Sequence, residues 1–464
     1  MVLSRLTSSY TEKKLRDHHV KKVFLKGTLI LACTGLVSRL AGFFYRIFLS
    51  HTIGASGMGL YQLVLPVQGL MAALSYAGIQ SALSRLIASQ IALDQKEDAR
   101  FSLFLGTLTA IGSSAVTGFL LFQKADFFAS VILKTPETTD LLRLVSFTIP
   151  VCAIHSCINS YYYARKKTSI PAAVQLTEQA VRIGSTYVLY LIFLAEKRPV
   201  TALIAAGGSM TGEIAASLVS LLAVAFHFGN CRFSGEEIRS RKTFSLLQEL
   251  FGLALPVSLN RILMTLLGSI EVVLIPQMLL RSGLNAADSL RIYGVFTGMA
   301  LPLILFPSAL TASASVMLMP SVAELDALEN GKQIRKVTDL TFLLCMMLGF
   351  FCCAGFFLLG PFMGKLLFHS KTAGIYIRYM AFVCPFLYTN TMLASILHGL
   401  GKPGQCLVHS VCGILVRIFF VVFMIPKIGI RGYFYGVFMG EILLTLLHVK
   451  ALKFPYRQSD KNRL

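Results

Sequence analysis

The strongest constraint on this chain is a series of apolar runs, each long enough to cross a bilayer, that recur along almost its whole length. Crossing a hydrocarbon core of about 30 Å takes roughly 20 apolar residues in a helix, which satisfies its backbone polar groups internally. Only 14% of the residues are charged, whereas soluble domains carry about a quarter. The sequence therefore predicts an all-α polytopic membrane protein without a soluble domain.

The apolar runs predict about twelve transmembrane helices in two lobes of six. The predicted bounds are 25–49, 59–88, 101–123, 141–163, 170–195, 201–228, 246–280, 291–322, 337–359, 374–399, 404–425 and 431–449. A basic tail, residues 1–24, precedes an apolar run too long for a signal-peptide core, so we expect the first helix to be retained. The longest polar interruption, 229–245, predicts a cytoplasmic linker between lobes 25–228 and 246–449, and 450–464 forms a second tail.

Self-similarity at a nearly constant offset indicates that the two lobes arose by duplication. The matching segments are RLVSFTIP at 143–150 with RYMAFVCP at 378–385, VRI at 181–183 with VRI at 416–418, and GEI at 212–214 with GEI at 440–442. Six helices is an even number, so both lobes take the same orientation and are related by a pseudo-two-fold axis along the membrane normal. We expect a central cavity where they meet.

Basic residues sort to one side of the predicted membrane. The two tails, the linker and the connections on their side hold 24 Lys and Arg residues, and the opposite connections hold 8. The positive-inside rule therefore places both termini in the cytoplasm and explains the net charge of +21 without a nucleic-acid partner. The ten cysteines show no metal-ligand spacing with histidine, so we expect no metal and no cofactor.

Arginines lie inside the predicted membrane spans. Arg39 and Arg46 are seven residues apart on one helical stripe that also carries Gly35 and Gly42, and Arg261 takes a similar position in the seventh helix. A charge at the bilayer centre costs about 2.5–3.5 kcal/mol even on the lenient insertion scale, so such arginines should face a wet cavity or a partner. Arg46 lies nearer the outer end, where snorkelling to the interface is the alternative.

Further ionisable residues lie on the later helices of each lobe. Glu178 and Arg182 can pair at i,i+4 while lining a polar face, and Arg417 is the repeat equivalent of Arg182. The remaining deep carboxylates, Glu213, Glu271 and Glu441, serve either hydrogen bonds between helices or an ion relay for H⁺ or Na⁺. A fourth-helix stripe either contacts a sugar or packs polar groups: Cys152, His155, Asn159 and Tyr162.

The deep charges favour an anionic substrate. Arg39, Arg46, Arg182, Arg261 and Arg417 outnumber the four deep glutamates, and arginine grips phosphate with a planar fork while staying charged. The alternative is cation-coupled multidrug efflux, which would rely on the carboxylates. An enzyme on a polyprenyl substrate is less favoured, because the exterior loops are short and no catalytic set is visible.

Three segments resemble a known family. SRLAGFFYRIFLSHTIGASGMGLYQ at 38–62, PVSLNRILMTLLGSIEVVLIPQML at 256–279 and YGVFTGMALPLILFPSALTASASVMLMPS at 293–321 are similar to the stage V sporulation protein B family. This family belongs to the polysaccharide-transporter branch of the multidrug/oligosaccharidyl-lipid/polysaccharide flippase superfamily. The resemblance implies a two-lobed transporter that alternates between inward and outward openings.

The resemblance also implies which class of substrate is transported and which membrane contains the protein. It points to a lipid-linked saccharide or a peptidoglycan precursor, moved across the bacterial cytoplasmic membrane. The related lipid II flippases share a Ser-Arg-x-x-Gly-Phe pattern, which matches Ser38, Arg39, Gly42 and Phe43. Their second first-helix arginine is replaced by Tyr45, with Arg46 one step beyond. Their arginines on the second and eighth helices have no counterpart in LVLPVQGLM at 63–71 or YGVFTGMALPL at 293–303. Whether lipid II is the substrate therefore stays open.

Overall fold

A computed structural model describes residues 29–228 and 240–461, with side chains described except at 240–242, Val316 and 453–461. The predicted tail 1–24 and most of the predicted linker lie outside these residues. Within the described ranges the regular elements are helices and there is no strand. The predicted all-α class is therefore confirmed.

The N-half, residues 29–228, contains seven main helices. They are α1 (Leu29–Thr52), α2 (Gly54–Ser75), α3 (Ala77–Ala92), α4 (Lys96–Gln123), α5 (Thr139–Ala164), α6 (Ser169–Ala195) and α7 (Leu203–Phe228). Between α4 and α5 the chain forms three short turns of helix at Ala125–Phe127, Phe128–Ile132 and Pro136–Thr138. The N-half thus keeps the predicted helices but divides the predicted second one.

The C-half, residues 240–461, contains eight main helices. They are α8 (Ser240–Arg281), α9 (Ala286–Gly294), α10 (Ser308–Ala327), α11 (Gly331–Phe368), α12 (Lys371–Met380), α13 (Cys384–Gly399), α14 (Pro403–Phe423) and α15 (Arg431–Lys461). A π-helical turn at Val295–Ala300 and a short helix at Leu301–Leu305 follow α9. The chain is helical from Ser240, inside the predicted linker, and α15 continues into the predicted C-terminal tail.

Within residues 29–228 and 240–461, twelve helices are long and apolar enough to cross a membrane. The number of membrane helices agrees with the prediction, but the observed set is not made of the same twelve helices. The predicted eighth helix is represented by two such helices, Ala286–Leu305 and Ser308–Ala327, whereas α6 falls outside the set. α6 carries the charged residues Glu178 and Arg182 inside its span.

The two extra breaks occur inside the second crossing of each half. Tyr76 separates α2 from α3 at φ −117°, and Phe306 and Pro307 separate Leu301–Leu305 from α10 with right-handed helical dihedrals. A chain that keeps helical dihedrals cannot reverse direction there, so each broken pair continues as one kinked rod. Counting each rod once, taking α12 and α13 as the single membrane helix Lys371–Gly399, and including α6 gives six crossings in each half.

Reciprocal contacts between α2 and α9 have the form that a two-fold relation produces. A Cβ atom built on Gly59 would lie 2.6 Å from the carbonyl oxygen of Leu290. A Cβ atom built on Gly294 would overlap the carbonyl oxygen of Ala55. Residues 55 and 290, and residues 59 and 294, are each 235 apart, which is the offset of the sequence repeat. Glycine is needed at both positions because the helix backbones touch.

The ends of the helices define two faces of the molecule. The linker face holds the turns at 93–95, 165–168, 328–330 and 400–402, and the His51 face holds those at 53 and 369–370. At the His51 face the halves are in contact, because α2 packs on α9 and Gly298 packs against the side chain of Met58. Nearer the linker face, α3 packs against α8 through Gly78 and Ser258.

Candidate functional site

A polar cavity of about 260 Å³ lies within the N-half, between α1, α2, α6 and α7. Charged lining comes from Arg46, Arg182 and Glu213. Uncharged hydrogen-bonding groups also border it: Ser38, Tyr45, Tyr61, Gln62, Gln68, Gln179 and Ser209. Groups of this kind suit a hydrated, hydroxyl-rich or anionic ligand better than an apolar one.

Arg46 connects this N-half cavity to the other half. It lies near the end of α1 at the His51 face, and its Nη1 atom donates to the carbonyl oxygen of Thr297 at 3.4 Å. Thr297 belongs to the π-helical turn after α9. The Arg46 side chain is half-buried rather than extended to the interface. Arg46 thus lines the N-half cavity and contacts the C-half at the same time.

Arg182 gathers two carboxylates at the same cavity. Its Nη2 atom contacts Glu178 Oε1 one turn away, as the i,i+4 spacing predicts, and lies 3.5 Å from Glu213 Oε1 on α7. His155 on α5 approaches from the other side, with Nδ1 3.6 Å from Glu213 Oε2. Ligand atoms of His155, Glu178 and Glu213 lie within 4.8 Å of one another, a separation that a single cation could bridge.

A second cavity of about 540 Å³ lies between the two halves, at the interface where a central cavity was predicted. Arg261 and Asn260 line it from α8, and Tyr76 and Gln80 line it from the other side. The Arg261 side chain is exposed. This inter-half cavity thus places a cationic group from the C-half opposite polar groups of the N-half.

The two cavities follow one another along a single face of α2. Leu65 and Gln68 line the N-half cavity, and Gly69 and Ala72 line the inter-half cavity. Positions separated by three or four residues share one helix face, so this face borders both spaces in succession. Arg46 and Arg261 therefore border neighbouring cavities reached along the same helix.

Arg39 lies apart from these groups. Its side chain is exposed in the middle of α1, while the neighbouring Ser38 borders the N-half cavity. Arg39 is about 10 Å from Arg46 along the helix axis, at 1.5 Å per residue. The structure places Arg39 on an accessible surface of α1 rather than among the charges around Arg182.

Arg417 lies in a dense polar network in the C-half. Its Nε and Nη2 atoms lie 2.8 and 3.0 Å from the two oxygens of Glu271 on α8, and Nη1 lies 3.5 Å from Glu441 Oε1 on α15. The Tyr433 hydroxyl donates to Glu271 Oε1 at 2.7 Å, and the Asn390 side chain donates to Glu441 Oε2 at 2.7 Å. Each of the two carboxylates is therefore held by Arg417 and by one neutral donor.

The two halves repeat this charge pattern with one change. Arg182 and Arg417 are 235 residues apart, and each lies 3.5 Å from a carboxylate on the last helix of its half, Glu213 or Glu441. The second carboxylate differs, since Glu178 belongs to the same helix as its arginine and Glu271 comes from α8. The N-half group borders a cavity, whereas the C-half carboxylates are 4% and 6% exposed.

Sequence reasoning missed several members of the site. It left open whether His155 packs or binds, and it gave no role to Tyr433, Asn390 or Gln68. Their partners are distant in sequence, as Gln68 donates to the Thr148 hydroxyl at 3.0 Å and Tyr433 to Glu271. Helical spacing carries no information about such contacts. For Gln68, the sequence signal that could have indicated a role was the presence of polar residues within the apolar helix α2.

Comparison with known proteins gives a family and a fold. A model of the family described as "Polysaccharide biosynthesis protein" matches residues 24–326, more than half of the chain. Stage V sporulation protein B of Bacillus subtilis (strain 168) is 29% identical over 93% of this chain and 84% of its own length. The resemblance noted in the sequence is therefore confirmed.

A further relative and a solved structure are also similar to this chain. Lipid II flippase MurJ of Bacillus subtilis (strain 168) is 23% identical over 91% of this chain and 81% of its own length. A solved inward-facing structure of a multidrug resistance MATE family transporter of the MOP superfamily superposes with a TM-score of 0.68 at 16% identity, covering 93% of this chain and 99% of that one. The fold is that of this transporter superfamily.

Proposed function

The chain belongs to the polysaccharide biosynthesis protein family, and we propose that it is a flippase for an undecaprenyl-linked cell-envelope saccharide or peptidoglycan precursor. It moves this substrate across the bacterial cytoplasmic membrane by alternating access and does not alter it chemically. The observation that carries the proposal is the pair of arginine-bearing cavities that follow one face of α2 into the space between the halves. The relationship to a lipid II flippase supports the same class of substrate.

The charge of the lining supports an anionic headgroup. In this proposal Arg46 and Arg261 hold the pyrophosphate, and Arg39, on the accessible surface of α1, engages it on entry. Arg182, positioned by Glu178, adds a further guanidinium beside them. Sugar hydroxyls then take hydrogen bonds from the neutral groups of the N-half cavity, of which Gln62 and Gln179 are examples.

Arg417 has a structural role and does not contact the substrate directly. Because both of its partners are buried carboxylates, it stabilises the C-half and sets the relative positions of α8, α14 and α15. It acts on the substrate indirectly, through the position of Arg261 on α8.

The direction of transport follows from the orientation. We propose that the linker face is cytoplasmic. The tails 1–24 and 450–464 then lie on that side, as does the linker 229–245, which joins lobe 25–228 to lobe 246–449. The excess of Lys and Arg in those segments supports it. The His51 face is then extracellular.

A coupling ion, H⁺ or Na⁺, is proposed at the N-half carboxylates. Glu213 and Glu178 converge with His155 beside Arg182, so binding of a cation there would loosen the hold of Arg182 on its carboxylates. Glu271 and Glu441 offer a second possible relay in the C-half. The same convergence is the observation that favours the alternative function, cation-coupled efflux of small organic cations.

The proposal is tested in a deletion strain complemented with variants. Loss of the protein should cause undecaprenyl-linked saccharide to accumulate, and the wild-type gene should restore its normal level. Arg39→Ala, Arg46→Ala and Arg261→Ala should fail to complement at normal membrane abundance, whereas Arg198→Ala, at an exposed arginine outside the cavities, should complement. Full complementation by Arg39→Ala, Arg46→Ala and Arg261→Ala alike, or drug accumulation without any change in lipid-linked saccharide, would refute the proposal.

A further inference from the structure

Two histidines from different halves meet at the His51 face. His51 lies in the last turn of α1, and His369 ends α11 in the left-handed conformation, at φ 48° and ψ 29°. Their Nδ1 atoms are 3.1 Å apart, and their ring centroids are 4.6 Å apart. Both side chains are exposed, so ions in solution can reach them.

The surroundings of His51 define its tautomer. His51 Nε2 lies 2.9 Å from the carbonyl oxygen of Leu367. A carbonyl oxygen only accepts, so Nε2 carries the hydrogen and the Nδ1 of the neutral ring presents a lone pair toward His369. Metal-bound histidines commonly have this arrangement, in which the ring nitrogen away from the metal donates to a backbone carbonyl. His51 is thus oriented as a ligand before any metal arrives.

The spacing of the two nitrogens fits one metal ion. With metal–nitrogen bonds of about 2.0–2.1 Å, nitrogens at this separation subtend about 98° at the metal, between the tetrahedral and the octahedral angle. Imidazole nitrogens favour zinc, copper and nickel over magnesium and calcium. We propose that His51 and His369 form a binding site for a divalent transition-metal ion, with water in the remaining positions, and that the bound ion clamps the two halves together at this face.

The proposed clamp depends on the two ligands belonging to different halves of the protein. One histidine belongs to the N-half and the other to the C-half, and they meet while α2 and α9 are in contact through Gly59 and Gly294. If the halves separate at this face, as alternating access requires, the two nitrogens separate too. The ion therefore binds the closed arrangement more tightly and shifts the population toward it.

The site is tested with the purified full-length protein and copper or zinc alone. The copper electron paramagnetic resonance spectrum of the wild type should show two imidazole nitrogens that are absent from the spectrum of the double variant His51→Gln, His369→Gln. Each single variant should bind zinc about 100-fold more weakly, because the advantage of a second preplaced ligand is lost. His398→Gln, at an exposed histidine of the linker face, is the matched control and should bind as the wild type does.

The result that overturns the site is equal metal binding by the wild type and the double variant. The clamp has its own measurement, hydrogen exchange of residues 54–59 and 289–298 with and without zinc. Zinc should slow this exchange about tenfold in the wild type and leave His369→Gln unchanged, and unchanged exchange in the wild type would overturn the clamp. The clamp rests on the proposed function only in that alternating access requires this face to open. The binding and exchange measurements use no lipid-linked substrate, so their failure is distinguishable from failure of the flippase proposal.

Discussion

Replacing Arg417 with leucine should destabilise the protein because it removes the cation from a buried network. Glu271 and Glu441 would be left with their charges in the interior of the C-half. Removing one member of a buried ion pair typically costs about 3–5 kcal/mol. Each carboxylate keeps one donor, the Tyr433 hydroxyl or the Asn390 amide, both at 2.7 Å. The expected loss is therefore at the lower end, about 3 kcal/mol, or roughly 150-fold in the unfolding equilibrium.

Arg182→Leu is the matched control at the repeat-equivalent position. The side chains of its partners Glu178 and Glu213 are 21% and 11% exposed, and Glu213 lines the N-half cavity, where water can solvate its charge. The expected loss is smaller, about 1 kcal/mol. If the flippase proposal holds, Arg182→Leu should nevertheless impair transport.

The assay is unfolding of the purified protein in mixed micelles by added SDS. The chain has no tryptophan, so helix content measured by far-UV circular dichroism is the suitable signal. Combining Arg417→Leu with Glu271→Gln should recover about 1 kcal/mol or more, since one uncompensated charge is removed. An Arg417→Leu protein that unfolds within about 0.5 kcal/mol of the wild type, or no more easily than Arg182→Leu, would refute the reasoning.

Two further predictions concern transport, and a third concerns the contact between α2 and α9. Arg46→Ala should slow flipping about 10- to 150-fold at normal abundance, because one charge-assisted hydrogen bond worth about 1.5–3 kcal/mol is lost; an unchanged flipping rate in liposomes would contradict this. Glu213→Gln should remove the dependence of transport on an imposed H⁺ or Na⁺ gradient, and full dependence in the variant would move the coupling site elsewhere. Gly294→Leu should separate α2 from α9 and raise hydrogen exchange across 54–59; exchange at the wild-type rate would show that this contact does not close the face.

Much of the fold could be predicted from the sequence because membrane spans are set by length and hydropathy. The number of crossings was predicted from local hydropathy, and the Glu178–Arg182 pair was predicted from helical spacing. The reciprocal contacts of Gly59 and Gly294 are consistent with the predicted duplication. The breaks at Tyr76 and at Phe306–Pro307 were not predicted, because the apolar runs continue through both. A hydropathy pattern does not distinguish a straight helix from a kinked one.

The candidate site was predictable only in part. Arginines within the predicted spans marked the helices that line the cavities, but the partners of Arg417 lie on the other helices α8 and α15. The same holds for His51 and His369, which are brought together by the contact between the halves. Such pairs depend on tertiary packing, and no local spacing encodes them.

The most direct test of the central claim is flipping of an undecaprenyl-pyrophosphate-linked saccharide by the purified protein in liposomes, measured with a membrane-impermeant reagent that modifies only the exposed leaflet. We predict that wild-type protein renders nearly all of the lipid accessible, and that within the same reaction time Arg46→Ala and Arg261→Ala leave close to half inaccessible, near the level of protein-free liposomes. Accessibility unchanged by the wild-type protein, or equal flipping by the wild type and both variants, would contradict the account.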